Sequence, residues 1–110
     1  KAIAAATILA KEGVECEVID LRTLSPIDME TVIESVENTG RLVVVDEANP
    51  RCSIATDVSA QVAQQAFKSL KAQIEMVTAP HTPVPFTTTL ENLYIPSAEQ
   101  IVVAVRKTLN

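Results

Sequence analysis

The chain has no tryptophan, one tyrosine and two phenylalanines, so any core it forms must be aliphatic. Its only glycines, Gly13 and Gly40, both stand where helices should stop. That excludes a glycine-rich phosphate cradle, and neither a P-loop nor a dinucleotide fingerprint can be drawn. Two cysteines, Cys16 and Cys52, are too few for a disulfide framework. Together with a single histidine they make no metal-ligand cluster. A reducing, cytoplasmic setting is the expectation. Apolar runs fall short of the ~20 residues of a membrane span. The first residues also lack the basic, apolar and small-residue regions of a signal peptide. No serine sits in a nucleophile elbow. The net charge of −5 argues against nucleic acid or an anionic membrane as partner.

What is present is a strongly apolar chain: 47% of its 110 residues are hydrophobic, far from the composition of a disordered segment. The supply is mostly Ala, Val, Ile and Leu, which suits buried parallel strands covered by helices. Residues 1–12 read as an alanine-rich helix closed by Gly13. Residues 15–21 read as a β-branched strand. Ser25, Pro26 and Asp28 resemble a capping box opening a helix over 26–37, with Ile27, Val32, Ile33 and Val36 as its apolar stripe. Leu42 to Val45 is the clearest strand, a continuous run expected to be buried on both faces. A helix is expected over 54–70 with Val58, Val62, Ala66 and Phe67 inward, then a strand over 73–77. Residues 78–96 form a passage punctuated by Pro80, Pro83, Pro85 and Pro96, without regular structure. Ser97 and Gln100 then frame a capping box for a terminal helix to Leu109.

The alternation predicts one α/β domain over residues 1–110, a three-layer, mostly parallel sheet with helices on both faces. A chain that opens on a helix lacks the strand expected before it, so the sheet is read as missing its first strand and the chain as a piece of a longer polypeptide.

In an open parallel sheet, ligands bind beyond the carboxyl ends of the strands. That edge would gather Arg22, Asp46, Glu47 and His81, the candidate ligand residues, for a small-ligand-binding regulatory role. Asp46 and Glu47 are also readable as paired acid–base carboxylates, or simply as groups solvating a strand end. His81 is of a residue type suited to proton transfer but has no identifiable acid or nucleophile beside it. Cys52 next to Arg51 is either a lowered-pKa thiol or an ordinary loop cysteine. The proline-rich passage, with Phe86, Leu90, Leu93, Tyr94 and Ile95 to dock, reads as a packing or binding arm. No residue is assigned a catalytic or metal-ligating role.

The stretches from Val18 to Asp28 and from Thr39 to Glu47 resemble the carboxy-terminal domain of transketolase-like proteins. More narrowly they resemble the beta subunit of thiamine-dependent 2-oxo acid dehydrogenases. The passage from Thr78 to Phe86, with Tyr94-Ile95-Pro96, is similar to the acetoin and bacterial pyruvate dehydrogenase branch. The resemblance implies an assembly and partner-docking domain, inactive alone, within an α2β2 enzyme that decarboxylates or cleaves its substrate and passes the acyl group to lipoyl. It implies thiamine diphosphate and magnesium in the full complex, bound by other domains. The implied partners are the alpha subunit, a second beta subunit and the subunit-binding domain of the lipoyl acyltransferase. Phe86, Tyr94, Arg106, Lys107 and Asn110 are the candidate docking residues. Two departures stand out: relatives commonly have glycine in the loop where this chain has Cys52-Ser53, and many pyruvate and branched-chain relatives have Asp at the position of His81.

Overall fold

In the computed structural model, which describes residues 1–110, the alanine-rich start forms α1 (Ala2–Ala10). Gly13, at φ +81°, ends it. Val14 N–H reaches Leu9 O at 3.0 Å and Gly13 N–H reaches Ala10 O at 3.1 Å, the paired bonds of a Schellman stop. Next come α2 (Met29–Thr39), β1 (Val43–Asp46), α3 (Ile54–Gln65), β2 (Glu75–Thr78), α4 (Thr88–Tyr94) and α5 (Ala98–Leu109). None of the helices is long and apolar enough to cross a membrane.

β1 and β2 pair in parallel, Val43 opposite Glu75 through Asp46 opposite Thr78. Alternate side chains along them feed two cores. Val43 and Val77 join Ala5, Leu9, Ile101 and Val102 on the face covered by α1 and α5. Leu42, Val44 and Ile74 join Val32, Val36, Val58 and Val62 on the face covered by α2 and α3. The three layers of helix, parallel sheet and helix are those expected.

Several local expectations are corrected. Residues 15–21 form no strand; the sheet has two strands, not three. The segment keeps the side-chain alternation of a strand all the same. Val14 and Cys16 pack toward the α1–α5 core, Ile19 and Leu21 toward the α2–α3 core. What it lacks is a neighbour to bond. For the same reason β1 is not buried on both faces: Val45 is 36% exposed, beside an open apolar groove of about 760 Å³ that runs between β1 and residues 15–21.

The second helix starts one turn later than Ser25 and Pro26 suggested. Asp28 is the cap, accepting from Thr31 N–H at 3.1 Å and from Thr31 Oγ1 at 2.7 Å. A carboxylate with two local donors outcompetes a serine held in the turn where Leu24 and Ile27 bridge. α3 stops at Gln65 because Ala66, at φ −127°, leaves the helical region. A short 3₁₀ turn, Phe67–Ser69, follows and swings Phe67 outward, so that residue is 70% exposed rather than inward. Finally, the proline-punctuated passage is not wholly irregular. Its prolines leave residues 86–95 free, and Thr88–Tyr94 coils into α4 within that window.

Candidate functional site

One set of candidates belongs to the carboxyl edge of the sheet. Asp46 ends β1 and turns back on the chain, its Oδ1 accepting from Ala48 N–H at 3.0 Å. Asn49 does the same for Arg51 N–H at 3.0 Å. These side-chain-to-backbone bonds shape the loop that feeds α3. Cys52, at φ +51°, makes the last bend before the Ser53 cap, where Thr56 N–H donates to Ser53 Oγ at 3.3 Å and Ser53 N–H to Thr56 Oγ1 at 3.1 Å. The loop after β2 is tied to this one by a single backbone bond, Ala79 N–H to Ala48 O at 3.1 Å. Asp46 and His81 therefore lie on adjoining loops. His81 is solvent-exposed, in the turn where Thr82 N–H donates to Pro80 O at 2.8 Å.

Arg22 is turned elsewhere. Its Nε donates to Asp20 Oδ2 at 3.0 Å, both side chains well exposed, and its own φ is +52°. No hydrogen bond or ion pair joins Arg22, Asp46, Glu47 and His81 to one another. Asp46 and Glu47 border the groove together with Asp20, which gives its mouth an acidic rim.

The other candidates lie on α4 and the loop before it, and on α5. Phe86 is fully exposed, and Val84, Leu90 and Leu93 are 68%, 53% and 77% exposed, an apolar patch on a short helix with no buried residue of its own. Tyr94 is half-buried and holds the arm in place by donating its hydroxyl to Thr82 O at 3.5 Å. At the far end of α5, Arg106 is bound to Glu12 of the α1 turn, Nε to Oε2 at 3.2 Å. Lys107 Nζ stands 3.6 Å from Glu75 Oε2. Arg41 Nε donates to Thr108 O at 2.8 Å, satisfying one of the orphaned carbonyls at the end of the helix. Arg106 and Lys107 thus brace the domain while keeping more than half of each side chain in solvent; Asn110 is exposed beyond them. The role of Arg41 and the helical form of the segment that carries Leu90 and Leu93 escaped sequence reasoning. The spacing of Leu90 and Leu93, three apart between prolines, was the available signal for that helix.

Three groups have shifted electrostatics. Burial, with the neighbouring Glu15 carboxylate adding, pushes the Cys16 thiol above its ordinary value of 9.0. The Thr31 hydroxyl and then the Thr31 amide hold Asp28 below the usual carboxylate range. At the start of α5, Glu99 is lowered by its own backbone N–H, by the Ser97 hydroxyl and by Lys1.

Comparison with known proteins supplies the context. Residues 1–101 match the family described as transketolase, C-terminal domain. The beta subunit of the acetoin:2,6-dichlorophenolindophenol oxidoreductase of Cupriavidus necator is 74% identical over 109 residues, covering 99% of this chain and 32% of that protein. The subunit of the same name in Bacillus subtilis is 52% identical over 101 residues, 92% of this chain and 30% of that one. The beta subunit of the pyruvate dehydrogenase E1 component of Rhizobium meliloti is 45% identical over 105 residues, 96% of this chain and 23% of that one. Among solved structures, an inactive beta4 tetramer of a split-gene transketolase superposes with a TM-score of 0.81 at 28% identity, covering 98% of this chain and 33% of that one. The chain spans a third or less of the length of each of these relatives.

Proposed function

The chain belongs to the transketolase C-terminal domain family, and from that premise we propose that it is the assembly and partner-docking domain of the beta subunit of a thiamine-dependent acetoin or pyruvate-type dehydrogenase. One observation carries the reading: 74% identity, across nearly the whole chain, to a protein named as the beta subunit of an acetoin oxidoreductase. On this reading residues 1–110 are a single domain of a longer beta subunit, itself part of an α2β2 enzyme.

The chain's own residues do not fit a diphosphate–magnesium group. No three His, Cys, Asp or Glu side chains converge to hold a metal ion, and both glycines are spent on left-handed helix ends. The family resemblance implies that thiamine diphosphate is held by the remainder of the beta subunit and the alpha subunit, and no chemical step is drawn through this domain. Its contribution is surface. The exposed Phe86 and Leu93 supply apolar area for a neighbouring subunit, and the half-exposed Arg106 and Lys107 supply charge for the subunit-binding domain of a lipoyl acyltransferase. Exposed aromatic side chains with charged neighbours are the usual anchors of such contacts.

The test uses the intact beta subunit co-expressed with its alpha partner. Phe86→Ser with Leu93→Ser should shift the mass observed by light scattering from tetramer toward free subunits. Arg106→Glu with Lys107→Glu should weaken titration by the acyltransferase subunit-binding domain while leaving the tetramer intact. Assembly and titration unchanged in both double variants would overturn the assignment.

A further inference from the structure

Arg106 and Lys107 are not free cations. Arg106 lies in the last turn of α5 and grips Glu12, in the turn that closes α1. The grip is side-on: Nε donates to Oε2 at 3.2 Å and Nη2 donates to Oε1. That is the bidentate fork by which a guanidinium recognises a carboxylate. Lys107 Nζ stands 3.6 Å from Glu75 Oε2, and the Gln73 side-chain amide donates to the other oxygen of the same carboxylate. The two cations and two anions cancel, on a chain whose net charge is −5. The resting surface therefore offers an acidic partner little attraction.

Stability does not require the Glu12 pair. α1 and α5 are already joined through buried Ala5, Leu9, Ile101, Val102 and Ala104. The pair sits outside that core with both side chains open to solvent, the setting in which ion pairs add little to stability. What it decides is the state of the Arg106 guanidinium. Of the five N–H donors, those on one edge face Glu12. A carboxylate that arrives on this edge must displace Glu12. One that arrives on the free edge leaves two carboxylates around a single cation. Both routes set the Glu12 charge against the newcomer.

We propose that Glu12 is an internal competitor for the docking cation: a partner carboxylate binds Arg106 by exchange with Glu12, and Glu75 plays the same part in the looser pair at Lys107. The inference rests on the docking role given above to Arg106 and Lys107. Only the fraction of molecules with Arg106 released binds at the intrinsic affinity. An exposed ion pair, its side-chain ordering included, then weakens the apparent affinity by about two- to sixfold. Docking is held in check until the partner offers a carboxylate that outbids Glu12.

Calorimetric titration of the intact beta subunit, co-expressed with its alpha partner, by the acyltransferase subunit-binding domain tests it. Two salt concentrations serve, about 0.1 M and about 1 M, between which the screening length falls from about 10 Å to about 3 Å. Glu12→Gln should bind about two- to sixfold more tightly than the parent at the lower salt, and the gain should vanish at the higher. Glu12→Asp, which keeps the charge, should stay near the parent value. Unchanged or weaker binding by Glu12→Gln, while Arg106→Glu with Lys107→Glu still weakens titration, overturns this inference and leaves the docking role standing. If that double variant titrates like the parent, the docking role fails and the inference falls with it. A gain that survives high salt, or that Glu12→Asp reproduces, comes from altered packing and also overturns it.

Discussion

At the scale of single residues, two non-glycine positions carry positive φ, and one of them bears on the site. Cys52 sits at φ +51° in the bend that leads into α3, at a loop where resemblance alone would expect glycine. An L side chain in the left-handed region costs roughly 1–2 kcal/mol. Glycine removes that strain but makes the unfolded chain freer. Cys52→Gly should therefore stabilise the protein by about 0.5–1 kcal/mol, read as a higher urea midpoint with unchanged slope. Cys16 makes a prediction about pH. Its thiol is raised in the fold, first by burial and then by Glu15. Below the ordinary value of 9.0 the thiol is neutral in both states and stability is indifferent to it. Above that value the unfolded chain loses the proton first, so stability falls as pH rises through the folded value. Melting temperatures taken across that alkaline range should drop, and Cys16→Ala should flatten the drop. A carboxylate behaves in the opposite sense: Asp28, lowered by Thr31, contributes stability that disappears on acidification.

Elements were legible in proportion to their local chemistry. α5 was placed to the residue because its signals are local. Ser97 and Gln100 close a full capping box, Gln100 N–H to Ser97 Oγ at 3.2 Å and Ser97 N–H to Gln100 Oε1 at 2.9 Å. Ser97→Ala should lower stability by about 1 kcal/mol, visible in thermal unfolding, and should also move Glu99 back toward its ordinary range, because the Ser97 hydroxyl is one of the groups holding it down. α2 was placed a turn early because Ser25-Pro26 and Asp28 offer competing caps, and the carboxylate, bonded twice by Thr31, prevails. α4 was missed because seven residues between prolines carry almost no periodic signal. The expected strand over 15–21 failed for a different reason. Its pattern is right, but a strand is defined by its neighbour.

For the molecule as a whole, the two cores on either face of the sheet carry the stability, and the outer patches do not. Leu9 is 1% exposed at the centre of the α1–α5 core, whereas Phe67 is 70% exposed despite being the larger side chain. Leu9→Ala should cost roughly 2–5 kcal/mol. Phe67→Ala should cost under about 0.5 kcal/mol, both read from denaturant midpoints. The candidate site was legible only in outline. Asp46 and His81 lie on neighbouring loops, joined through Ala48 and Ala79. Nothing in the chain order could show that Arg22 turns to Asp20, because a flexible surface side chain chooses its partner by proximity and not by pattern.

From its sequence alone this protein determined its layer architecture, the stops at Gly13 and Gly40, the cap at Ser97 and the resemblance to a family, since all of these are set by short-range sterics, hydrogen bonding and apolar period. Only the tertiary structure decided that Phe67 faces water, that Arg41 and Arg106 tie α5 to distant turns, and that residues 15–21 stand across an open groove from β1. Those features depend on which surfaces meet in three dimensions.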